Sequence, residues 1–127
     1  MKIVIPQWQG RVSPVFDVAG TVILFDVEGC GERNREVVPL AADDPFEKAN
    51  TLSRLGAQVL ICGAISSPME MALICSGIQV IPYACGRVDD VLKAFLNGRL
   101  NEETFLMPGC DPRQRGIRAH RSRGQLQ

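Results

Sequence analysis

The chain alternates short apolar runs with polar segments marked by glycine and proline. Residues 2–6 form an apolar run of the kind that makes a buried strand. A polar and aromatic loop follows, Gln7-Trp8-Gln9-Gly10-Arg11-Val12-Ser13-Pro14-Val15-Phe16-Asp17. Residues 21–27 and 35–40 are β-rich, and Glu28-Gly29-Cys30-Gly31 between them is a turn signal, so the two runs read as a hairpin. Asp44-Pro45-Phe46-Glu47 has the look of a helix start, with Asp44 as the cap and Pro45 at the first helical position. Phe46, Ala49, Leu52 and Leu55 follow at helical spacing and Gly56 ends the helix. Residues 58–62, apolar from Val59 onward, suit a central parallel strand. Ser67-Pro68-Met69-Glu70 is an S-x-x-E capping box that starts a second helix, which stops at Gly77. Residues 78–83 give a fifth strand, and Val88, Val91, Leu92, Phe95 and Leu96 mark a third amphipathic helix.

The predicted order is therefore β-β-β-α-β-α-β-α, an α/β domain with a mixed five-stranded sheet covered by helices. Right-handed crossovers make the last two strands parallel to the first. The chain has 127 residues, enough for one domain with a core of its own. One domain is expected over 1–110, with 101–110 as a packed extension and a basic, disordered tail over 111–127. The tail carries five arginines against one aspartate, and the rest of the chain is correspondingly acidic, since the formal net charge is zero. No apolar run reaches the roughly 18 residues of a membrane span, and the first residues do not read as a signal peptide. A cytoplasmic location is expected. The five cysteines are an odd number without a C-x-x-C pair, which argues against a disulfide framework and against a standard zinc site.

Three segments resemble one family. Gly10-Arg11-Val12-Ser13-Pro14 with Phe16-Asp17, Leu60-Ile61-Cys62-Gly63-Ala64-Ile65-Ser66, and Val80-Ile81-Pro82 leading into Gly86 are similar to the dinitrogenase iron–molybdenum cofactor biosynthesis family over about residues 1–100. The resemblance implies a three-layer ribonuclease H-like fold. It also implies a non-catalytic role in binding or carrying an iron–sulfur or iron–molybdenum-type cluster, as nitrogen-fixation accessory proteins do. Nitrogenase-associated relatives often place a histidine where this chain has Val15; its single histidine is His120, in the tail.

Ligands of open α/β sheets bind at the carboxyl ends of the strands. The predicted topology brings Trp8 to Asp17, Cys62-Gly63 and Cys85-Gly86 to that edge, and Cys110 lies on the extension that could fold back to it. Cys62, Cys85 and Cys110 are candidate thiolate ligands, with a fourth position left to a donor or acceptor protein. Each of the first two also reads as a small core residue. Gly63, Ser66 and Ser67, at a helix start, offer N–H and hydroxyl groups to an anion, or Ser67 simply caps the helix. Trp8, Arg11 and Ser13 offer an apolar wall, a cation and a hydroxyl, or form a plain covering loop. The basic tail lacks interleaved aromatic residues, which disfavours nucleic acid as a partner.

Two other classes compete. A regulatory module binding a small anionic molecule would use the same Arg11 and Ser66–Ser67 groups. A metal-dependent hydrolase of the ribonuclease H type would need several carboxylates around metal ions, with Asp17 and Asp26 the nearest candidates.

Overall fold

The computed structural model of the protein describes residues 1–29, 31–40, 44–100 and 105–107. Strand β1 (Lys2–Trp8) turns into β2 (Arg11–Val12), then a single 3-10 turn (Phe16–Val18) leads to the long hairpin β3 (Thr21–Glu28) and β4 (Gly31–Pro39). Helix α1 (Pro45–Arg54), β5 (Val59–Ile61), α2 (Ser67–Cys75), β6 (Gln79–Ile81) and α3 (Val88–Leu96) complete the order.

The sheet is mixed and runs β4-β3-β1-β5-β6, with β2 attached to β1 off that path. β5 pairs parallel to β1, and β6 parallel to β5, as right-handed crossovers require. β3 is antiparallel to both β1 and β4. The hydrophobic pattern predicts five strands, and the sheet has six. The additional strand is β2, whose two residues pair with Gln7 and Trp8 across a turn at Gln9-Gly10. Both turn residues have positive φ, 54° and 80°, the two-residue hairpin geometry that matches strand twist. Two residues are too few for an alternation to be read. β4 likewise starts at Gly31 rather than Arg35, because this edge strand is exposed along most of its length and its charged first half carries no apolar signal.

The inner strands β1, β3 and β5 form because their apolar side chains are buried on both faces. Ile3 and Ile5 of β1 and Val59 and Ile61 of β5 pack with Phe25, Val91 and Leu92 on the α3 side. Val4, Leu60 and Cys62 point the other way and pack with Leu52, Met69 and Leu73 under α1 and α2. The alternation is the strand period of two. Asp44 caps α1 by accepting from the Glu47 N–H at 3.1 Å. In α2 the cap falls one residue before the expected position. Ser66, not Ser67, accepts from the Met69 N–H at 3.3 Å, and Glu70 is buried.

Of the 101–110 segment, residues 105–107 are described and pack against the loop after β6. Leu106 is buried and bridges antiparallel to Ala84, with Cys85 N–H donating to Phe105 O and Met107 N–H to Tyr83 O. Cys110 and the tail over 111–127 lie outside the described residues. Among the described residues no helix is long and apolar enough to cross a membrane.

Candidate functional site

The loops that leave β1, β5 and β6 meet at one edge, the carboxyl ends of the parallel strands. Backbone hydrogen bonds lace them together. Ala64 N–H donates to Pro14 O at 2.8 Å and Phe16 N–H to Ala64 O at 2.9 Å, so the loop after β1 runs as a short parallel bridge beside the loop after β5. Ala84 N–H donates to Cys62 O, Val12 N–H to Gly86 O and Val88 N–H to Gly10 O, which ties in the loop after β6. Gly63 sits where these loops press closest. A Cβ there would lie 2.6 Å from Pro14 O and 2.7 Å from Ser13 O, so no side chain fits.

An open cleft of about 520 Å³ lies beside this junction, lined by Gln7, Trp8, Ser13, Pro14, the 18–20 stretch and Thr21. Trp8 is 64% exposed at its rim, and Val15 and Val18 are exposed on the same loop. The cleft wall is fixed by Gln7 Nε2, which donates to Thr21 Oγ1 at 3.0 Å, while the Thr21 hydroxyl donates to Gln7 O. Ser13 is buried, and its hydroxyl donates to Val15 O at 3.4 Å.

The N-terminus of α2 faces this edge but is engaged from within the chain. The Asp17 carboxylate accepts from the Ser66 N–H at 2.9 Å and from the Ser66 hydroxyl at 2.5 Å. An internal carboxylate thus takes the place that the sequence pattern offers to an external anion. Ser67 is the first helical residue and is exposed. Beneath the same loop the Lys48 side chain is buried and its Nζ donates to Phe16 O at 3.1 Å and Asp17 O at 2.7 Å, with the ammonium 5.1 Å from the Phe16 ring centroid. Asp17 is therefore held at both its carbonyl and its carboxylate. Neither Lys48 nor this use of Asp17 was legible from spacing. A polar residue inside the apolar face of α1 was the available signal.

The candidate thiols part company. Cys62 is 0% exposed in the core under α1 and α2. Cys85 is half-buried, with its Sγ 3.2 Å from Leu106 O, next to Phe105, which packs on the α3-side core. Cys75 is exposed at the end of α2. Among the described residues no three His, Cys, Asp or Glu side chains come together to hold a metal ion. Asp17 and Asp26 are far apart along the sheet. Asp26 pairs with Lys2 at the start of β1, and Asp17 lies beyond its end.

Residues 1–98 match the family described as dinitrogenase iron-molybdenum cofactor. No protein with a curated description matches the chain. Among solved structures, the protein PH0822 is 29% identical, covers 78% of this chain and 93% of its own length, and superposes with a TM-score of 0.73. The apo form of the orange protein from Desulfovibrio gigas is 26% identical, over 77% of this chain and 88% of its own, with a TM-score of 0.64. A Thermotoga protein assigned as NifB is 25% identical, over 86% of this chain and 98% of its own, also with a TM-score of 0.64. With more than half of its length matched to the family, the chain belongs to the dinitrogenase iron–molybdenum cofactor family.

Proposed function

We propose that the protein is a non-catalytic binder or carrier of an anionic metal–sulfide cluster, of the iron–sulfur or iron–molybdenum type, which it receives from one protein and gives to another. Membership of the cofactor family supports the cofactor-related role. The observation that carries the reading to a place is the cleft at the carboxyl edge of the sheet, with Trp8, Val15 and Val18 exposed beside it. Open on one side, it suits a cargo that must leave again.

Within this reading the sequence-derived ligands have different roles. Trp8, Arg11 and Ser13 belong to the loop that borders the cleft. Gly63 lets the loops close on one another, and Ser66 anchors Asp17. Ser67 stands free at the surface beside them. Cys85 is the partly accessible thiol at the carboxyl edge, whereas the exposed Cys75 lies at the far end of α2, and Cys85 is the thiolate we favour. Cys62 would have to leave the core to reach a cluster. Cys110 remains a proposed ligand on the extension.

The ribonuclease H-like assignment is part of the same reading. It is supported by a five-strand path in which only β3 runs against its neighbours, and by helices on both faces. The separation of Asp17 from Asp26 speaks against the hydrolase alternative, which needs carboxylates gathered around metal ions. Intracellular work in nitrogen fixation is the context this role suggests. Anaerobic titration of the reduced protein with ferrous iron and sulfide tests the reading. Visible charge-transfer absorption that stays with the protein after desalting is expected, and its absence would refute it.

A further inference from the structure

Arg87, just before α3, is in register with Arg11 of β2 through an antiparallel bridge. The flanking bonds are Val12 N–H to Gly86 O and Val88 N–H to Gly10 O, both 2.9 Å, so the two arginines form a non-hydrogen-bonded pair. Side chains of such a pair project to the same face, with Cα atoms only about 4.5 Å apart. Arg11 also pairs with Trp8 across the Gln9-Gly10 turn, so Trp8, Arg11 and Arg87 make one row across three backbone segments. All three are exposed, while Val12, on the other face of β2, is buried.

Like charges placed directly opposite one another oppose folding. By contrast, the arginines of β4 are compensated: Arg33 pairs with Glu28, and Arg35 with Glu32 and Asp89. Among the described residues neither Arg11 nor Arg87 has an ion-pair partner. Asp89 and Asp90 are in the first turn of α3, but Asp89 is taken by Arg35.

We infer that Trp8, Arg11 and Arg87 form the recognition row for the cargo, an anionic metal–sulfide fragment held between two guanidinium groups and against the indole. This rests on the carrier reading and adds to it a residue, Arg87, and a mode of binding that needs no thiolate. Guanidinium groups are weakly hydrated, planar donors suited to large diffuse anions. The indole supplies an apolar wall for the sulfide surface, and its position at the rim of the cleft joins the row to the site.

Anaerobic calorimetric titration with tetrathiomolybdate, a dianionic metal sulfide, tests the inference. Binding to the full chain is expected to weaken with added salt, as for exposed charges. Arg11→Gln and Arg87→Gln should each weaken it by roughly tenfold, the loss of one charge-assisted contact. Arg54→Gln, which removes a charge on α1 away from the row, should leave it unchanged. Equal affinity in Arg11→Gln/Arg87→Gln and the parent would overturn the row while leaving the carrier reading in place. Equal weakening by Arg54→Gln would overturn it too, as an effect of net charge. If the parent binds no tetrathiomolybdate but still retains iron and sulfide, only the row is lost; if it retains neither, both ideas fall.

Discussion

Asp17 holds Ser66 by two hydrogen bonds, from the backbone N–H at 2.9 Å and from the hydroxyl at 2.5 Å, and Ser66 in turn caps α2 through the Met69 N–H. The loop after β1 and the second helix are thereby one unit, although 49 residues separate the partners. Ser66→Ala removes the cap and is expected to cost about 1–2 kcal/mol. Asp17→Ala should cost less alone. In a double-mutant cycle read by denaturant unfolding, the two should couple by about 0.5 kcal/mol or more. Simple additivity would mean that the contact does not stabilise the loop.

Gly63 has backbone on the side where a methyl group would go, with Pro14 O and Ser13 O both under 3 Å from a built Cβ. Gly63→Ala should force the β1 and β5 loops apart and destabilise by about 1–3 kcal/mol, the usual range for overpacking. It should also weaken cargo retention, because the cleft wall at Ser13 and Pro14 moves with the loop. Unchanged stability and unchanged retention would show that the loops do not need their close approach.

Lys48 is the buried cation under this loop, and its Nζ bridges two consecutive carbonyls. Lys48→Met keeps the aliphatic stem and removes both donors. The expected loss is about 1–3 kcal/mol, for carbonyls left short of a partner. The Ala19 N–H, which donates to Phe16 O, should then exchange with solvent faster. Unaltered exchange there would contradict a locking role.

At the other end of the hairpin, hydrogen bonding from Arg35 lowers the Glu32 carboxyl below its usual 4.5. A depressed folded-state value means stability that is present above that pH and lost as the carboxylate is protonated on further acidification. Glu32 is accessible to solvent, so Glu32→Gln should cost no more than about 0.5 kcal/mol at neutral pH. The variant should also flatten the stability profile below 4.5, measured by unfolding at several acid pH values. A profile identical to the parent would remove Glu32 from the acid response.

Much of the fold was legible because burial writes itself into the sequence. Val59 to Cys62 and Val80 to Pro82 are apolar because the ends of β5 and β6 are buried, and Asp44-Pro45 marked α1 to the residue. What escaped was decided by contacts rather than by pattern. Both Ser66 and Ser67 can cap a helix, and Asp17 selects the first. Glu32 to Glu36 carry no apolar rhythm, so the start of β4 was hidden in an exposed edge. The carboxyl-edge loops were predictable as neighbours from topology, and they do meet. Cys62 directly follows β5, buried on both faces, and so lies in the core, while Cys85 lies in the loop beyond β6 and meets Leu106, a contact that no local pattern announces. Arg87 carried no motif, and only its register with Arg11 gives it meaning.

The most direct test of the account is whether the reduced protein, mixed anaerobically with ferrous iron, molybdate and sulfide, carries metal through gel filtration. Iron and acid-labile sulfide are expected to elute with the protein, at a level that falls when Arg11 and Arg87 are both replaced by glutamine. Elution of the protein free of metal and sulfide would contradict the claim that this domain is a cluster carrier.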